Sequence, residues 1–192
     1  EEYAWLLVCI ADQQQQKKYV YCLSQATLFG RDIVFDQFGA YNLRIRKVLE
    51  AIYTDFSIDH ATEGFQQLEV YLKRVWFSNG IYHHYGSQKF VPAFSKDYLK
   101  ACMQQVDPKC LPLENGQTAE QLLELIAPVI FDPSYMPKRV NKADGEDLVQ
   151  TSACNFYEGV SQQEAEDFYA AQKAASADDQ EPVSYGDRKS VV

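Results

Sequence analysis

Apolar residues recur at helical spacing in six stretches of this chain, three on each side of an aromatic loop. The clearest is residues 42–56, where Ile45, Val48, Leu49, Ile52, Tyr53 and Phe56 fall at i, i+3, i+4, i+7, i+8 and i+11 and line one helical face. Asn42 precedes that run as an N-cap, and Arg44, Arg46, Lys47 and Glu50 take the wet side. Residues 62–77 repeat the design with Phe65, Leu68, Leu72, Val75 and Trp76, capped by Thr62. Trp76 continues the apolar face, which predicts a buried anchor for the loop that follows. A short helix starts at Ser95 and runs through Tyr98, Leu99, Cys102, Met103 and Val106 until Pro108 stops it.

Two capping boxes mark further starts. Thr118 with Gln121 opens a helix through Leu122, Leu123, Ile126, Val129 and Ile130, in which Pro128 predicts a kink or an early stop near Ala127. Ser161 with Glu164 opens one whose face is Ala165, Phe168, Tyr169 and Gln172. Before all of these, residues 13–29 carry Val20, Leu23 and Ala26-Thr27 at helical spacing; Gly30 interrupts, and 31–36 either continue the helix or extend. The pattern therefore predicts a mainly α fold with few or no strands. It divides into an unassigned segment 1–12, a helical body 13–173 and a flexible tail 174–192, with one short strand expected at 182–185. Residues 132–160 read as a long irregular connection, a length that points to a functional or partner-covered loop.

Between the third and fourth helices the stretch 78–95 turns at Asn79-Gly80, two residues that tolerate positive φ, and then runs through Tyr82, His83, His84 and Tyr85 to Gly86. Loops are normally poor in aromatics, so this one is expected either to touch a ligand or to lie under other chain.

Composition narrows the classes. With 192 residues and 46% hydrophobic content the chain can bury a core. A net charge of −9 argues against nucleic acid and anionic membranes as partners. The longest apolar run, 4–11, is short of the ~20 residues that span a bilayer, and acidic residues precede it instead of a basic leader. The first residue is not Met, which fits a processed or truncated start; the compartment is left open. Five cysteines, with no CxxC spacing, read as thiols rather than a disulfide or metal set, and Cys22 and Cys102 fall on predicted apolar faces.

Candidate chemistry is sparse. His60, His83 and His84 are the histidines; no HExxH is present, and adjacent histidines need further ligands to hold a metal. The acidic stretch 144–147 lacks the spacing of a calcium loop and reads as a solvated turn. No glycine-rich phosphate loop or nucleophile elbow occurs.

The run FSNGIYHHYGSQKFVP at 77–92 resembles the signature of dipeptidyl peptidase III, a zinc exopeptidase family that removes dipeptides from peptide N-termini, in its bacterial branch. LSQA at 23–26, GRD at 30–32, YNLRIR at 41–46, VIFDP at 129–133, MPKRVN at 136–141, ADGEDLV at 143–149, TSACN at 151–155 and QEAEDFY at 163–169 fit the same branch. The likeness spans about 13–186. It implies the helical, N-terminal part of the lower lobe of a two-lobed enzyme, whose substrate is a peptide and whose zinc sits on an HExxGH motif in the other lobe. That motif is absent here, so the resemblance transfers no catalytic residue and no metal ligand, and the chain alone is expected to be inactive. It does imply that Tyr85 and Gly86 lie on the substrate-facing wall of the cleft. Residues 187–192, DRKSVV, depart from the family and match one reading frame of a common sequencing adapter, so a gene cut by an assembly fault is the expectation. The rival reading is a stand-alone, non-catalytic helical module that binds peptides or serves as a scaffold. Where a second lobe would pack, an exposed apolar patch is expected.

Overall fold

A computed structural model describes residues 14–175. Among them are six α-helices: α1 (Gln14–Gln37), α2 (Asn42–Thr54), α3 (Glu63–Ser78), α4 (Lys96–Gln105), α5 (Ala119–Phe131) and α6 (Gln162–Ala175). A single 3-10 turn, Pro108–Cys110, follows α4. Among the described residues strand pairing is limited to two isolated antiparallel bridges, Tyr82 with Lys89 and Gln88 with Lys138. The fold is mainly α, as the periodicity predicts. The expected segment 1–12, the strand at 182–185 and the terminal 187–192 lie outside the described residues.

The core forms where the apolar faces meet. α2 packs between α1 and α3 and also touches α4, which pairs with α5. Ile45, Val48, Leu49 and Ile52 of α2 are fully buried against Leu68, Leu72 and Val75 of α3, Leu99 of α4, and Leu122 and Ile126 of α5. Each such side chain contributes roughly 1.5–3 kcal/mol on leaving water, more than any local propensity in these helices. The helix starts follow the caps read from sequence. Thr62 and Ser95 accept from the N–H three residues on, and Thr118 and Gln121 form the reciprocal box. Ser161 and Glu164 do likewise, with Glu164 Oε2 accepting from Ser161 N at 2.8 Å.

Several expectations are corrected. α2 ends at Thr54, so Phe56 lies beyond it and is 93% exposed instead of completing the buried face. Arg46 leaves the wet side: its guanidinium lies 4.5 Å from the centre of the Phe35 ring and donates to Asp32 at 2.5 Å. Asn42 is the first residue of α2 and makes no cap; buried, it accepts from Ile81 N at 3.2 Å. α1 runs straight through Gly30, since glycine inside a helix costs only about 1 kcal/mol against alanine. Only Phe35 of α1 is fully buried, so Leu23, Ala26 and Cys22 are exposed rather than core, and Phe29 is 81% exposed. α5 continues past Pro128 to Phe131, because the proline sits on the exposed side, where water can satisfy the Glu124 carbonyl it leaves unpaired. On α6 Ala165 is buried, but Phe168 is exposed.

Trp76 is only half-buried. It sits edge-on to Tyr53 at 5.7 Å and donates through Nε1 to Glu50 at 2.7 Å, so it clamps α3 onto α2 rather than anchoring the loop. Residues 132–160 carry no helix or strand but are firmly bonded. Asp147, expected in a solvated turn, accepts from the N–H groups of Gln150, Val149 and Gln162 at 2.8–2.9 Å. Those bonds, led by Gln150, hold its carboxyl below the usual carboxylate range. Ala153 N and Cys154 N donate back to the carbonyls of Lys138 and Arg139, folding this connection upon itself.

Candidate functional site

The aromatic stretch begins at the end of α3. Gly80 N donates to Val75 O and Asn79 N to Trp76 O, with Asn79 left-handed at φ 54°, the double closure of a Schellman motif. Gly80 itself has φ 151° and rests on Asn42, whose Nδ2 would lie 2.5 Å from an added Cβ. This contact explains the asparagine and the glycine together: the buried amide holds Ile81 N, and only a residue without Cβ lets it approach. Ile81 and Tyr82 then enter the core, with Tyr82 Oη donating to Met136 O at 3.0 Å. Burial, first, pushes the Tyr82 phenol above its ordinary range.

From Ile81 the chain makes a narrow hairpin. Phe90 N donates to Ile81 O and His83 N to Gln88 O, while Ser87 N closes the tip onto His83 O at 2.9 Å. Lys89 N and Pro137 O, with Arg139 N and Ser87 O, tie the long connection along the hairpin's second arm. Lys89 reaches below it, donating through Nζ to the carbonyls of Val129 at 2.9 Å, Asp132 at 2.7 Å and Tyr135. A cation on the last carbonyls of α5 complements that helix's C-terminal dipole. Burial lowers the Lys89 ammonium, opposed by the charge of Asp132.

The tip is what the fold leaves exposed. Tyr85 is 88% exposed, and Gly86 is exposed beside it. Both border an open cleft of about 540 Å³ whose other wall is Lys138, Arg139 and Lys142. Gly86 has no backbone need to be glycine here; an added Cβ would meet the mobile end of Gln88. The left-handed residue of the turn is Ser87, at φ 60°. Sequence reading placed Tyr85 and Gly86 together and missed Ser87 and the facing cations. The signal for the cations was a basic cluster, Lys138, Arg139 and Lys142, in an acidic chain.

The histidines do not assemble a metal centre. His83 Nδ1 accepts from Tyr85 N at 3.3 Å and Gly86 N at 3.1 Å, so that lone pair shapes the turn and Nε2 carries the proton. His84 stacks on His83 with ring centres 4.7 Å apart and has its Nδ1 3.5 Å from Ser78 Oγ. His60 sits at the other end of α3, stacked on Phe65 at 3.9 Å. Among the described residues no group of three or more His, Cys, Asp or Glu could hold a metal ion, so these side chains do not fit a zinc site. Cys102 is buried and Cys110 exposed, and no helix among the described residues is long and apolar enough to cross a membrane. Comparison with protein-family models and with curated proteins finds no match to this chain.

Proposed function

We propose that the chain is the helical, N-terminal part of the lower lobe of an enzyme of the dipeptidyl peptidase III type, and that it supplies a wall of the peptide-binding cleft. The observation that carries this reading is the exposure of Tyr85 at the rim of a cleft, within the run 77–92 on which the resemblance rests. An aromatic ring on a bonded turn offers a large contact area with few rotatable bonds, which suits gripping a peptide backbone. The turn is fixed by His83 Nδ1, and below it Asn42 rests on Gly80 and accepts from Ile81 N, so the ring is presented on a defined support. In the parent family zinc activates the water that cleaves the peptide. No group of side chains among the described residues fits that ion, and the role read for this part of the enzyme is to bind and orient the peptide.

In a full-length enzyme carrying this run, Tyr85→Ala raises KM severalfold and changes kcat less, because a contact made already in the ground state is lost. An unchanged KM would remove Tyr85 from the substrate wall.

A further inference from the structure

The cleft beside Tyr85 has a charge opposite to that of the chain. The protein carries a net −9, yet Lys138, Arg139 and Lys142 line one side of this opening. The ion pairs formed among the described residues use Arg44, Arg46, Lys47 and Lys73, and none uses these three. Lys138 Nζ donates to the neutral Asn141 Oδ1 at 3.2 Å, and Arg139 lies over the Phe38 ring at 4.4 Å. Both contacts position a cation without neutralising it. Asp144 and Glu146 follow in the chain, exposed, and make no ion pair with them. Three uncompensated cations on one wall repel each other and favour an anion between them.

The kind of anion follows from the backbone. A phosphate cradle needs converging free N–H groups. Here the N–H groups of Tyr85 and Gly86 are given to His83 Nδ1, that of Ser87 to His83 O, and that of Arg139 to Ser87 O. Recognition is left to side-chain cations spaced along a wall, with the exposed ring of Tyr85 across from them. That arrangement suits carboxylates spaced along an extended peptide.

We infer that the cleft between the 83–87 turn and residues 138–143 binds a peptide segment bearing acidic side chains. Lys138, Arg139 and Lys142 pair with its carboxylates, and Tyr85 covers its backbone. This inference rests on the reading of the Tyr85 wall as a peptide-contact surface.

Calorimetric titration of the whole chain with an end-blocked Ala-Glu-Asp-Glu-Ala peptide, and with its Gln/Asn isostere, tests both. The acidic peptide binds, the isostere binds about tenfold or more weakly, and added salt weakens the acidic one. Lys138→Gln with Lys142→Gln reproduces the tenfold loss with an unchanged far-ultraviolet spectrum, leaving Arg139 in place on Phe38. Equal binding of both peptides, with Tyr85→Ala weakening both, would overturn the charge inference and keep the peptide wall. Binding of neither would overturn the two together. Full displacement of the acidic peptide by an equal concentration of inorganic phosphate would assign the cations to free phosphate and overturn the inference.

Discussion

Gly80→Ala is the substitution that most sharply tests how the aromatic hairpin is held. The added Cβ would stand 2.5 Å from Asn42 Nδ2 and 2.9 Å from its Cγ, closer than real Cβ contacts allow. The backbone at φ 151° is also one that residues with a Cβ rarely adopt, which costs about 1–3 kcal/mol. Relieving the clash moves Asn42, and its Oδ1 then gives up Ile81 N, now accepted at 3.2 Å in a buried setting. An abandoned buried N–H costs a further ~1–3 kcal/mol. Against these stands the smaller freedom of alanine in the unfolded chain, worth about 0.4–1 kcal/mol. The net expectation is a loss of about 1–6 kcal/mol, or a fall in Tm on the order of 10 °C for a chain of this size. Urea unfolding followed by circular dichroism measures it, and a double-mutant cycle with Asn42→Ala isolates the contact. With the amide gone, Gly80→Ala should cost only its backbone strain. A cost that is the same in both backgrounds, or no cost at all, would refute the argument.

Three further outcomes follow from the packing and charges. Trp76→Ala should cost about 2–4 kcal/mol, the lower part of the range for large core truncations because the ring is half-buried; Trp76→Phe should recover most of it, and melts of the pair at equal Tm with the parent would take Trp76 out of the α2–α3 clamp. The bond from Arg46, its largest cause, holds the Asp32 carboxyl below its ordinary 3.8, so its stabilisation is full above that pH and is lost as pH falls through the lower folded value; Asp32→Asn should therefore flatten the acid limb of stability against pH, and an unaltered limb would contradict the pairing. The purified chain with equimolar zinc should release no product from a dipeptidyl arylamide, whereas chelator-sensitive turnover would demand a metal site that the described side chains do not form.

How much of this was readable beforehand depends on the range of the interactions. Caps at Thr62, Ser95, Thr118 and Ser161 were legible because they join residues three apart, and so was the Asn79-Gly80 turn. The faces of α2, α3 and α5 were legible because each is buried along its length. The same rule failed for α1, whose Leu23 and Ala26 have helical spacing but are exposed. Arg46 was misplaced because the Phe35 ring, eleven residues back in α1, and the carboxylate of Asp32, fourteen back, make burial acceptable to its cation. Of the candidate site, Tyr85 and Gly86 were named from the resemblance of the run 77–92, and both lie at the exposed tip of the hairpin. The facing wall of Lys138, Arg139 and Lys142 comes from chain more than fifty residues on, brought over by the Gln88–Lys138 bridge, and no local pattern announces that pairing.

The proposal that this chain is part of a two-lobed zinc exopeptidase of the dipeptidyl peptidase III type is tested most directly by long-read sequencing of the source genomic DNA through and beyond codon 186. An open frame that continues past Gly186 and encodes HExxGH downstream is the expected result. A genomic stop close behind codon 186, with no such motif in frame, would contradict it and leave a stand-alone helical peptide-binding module.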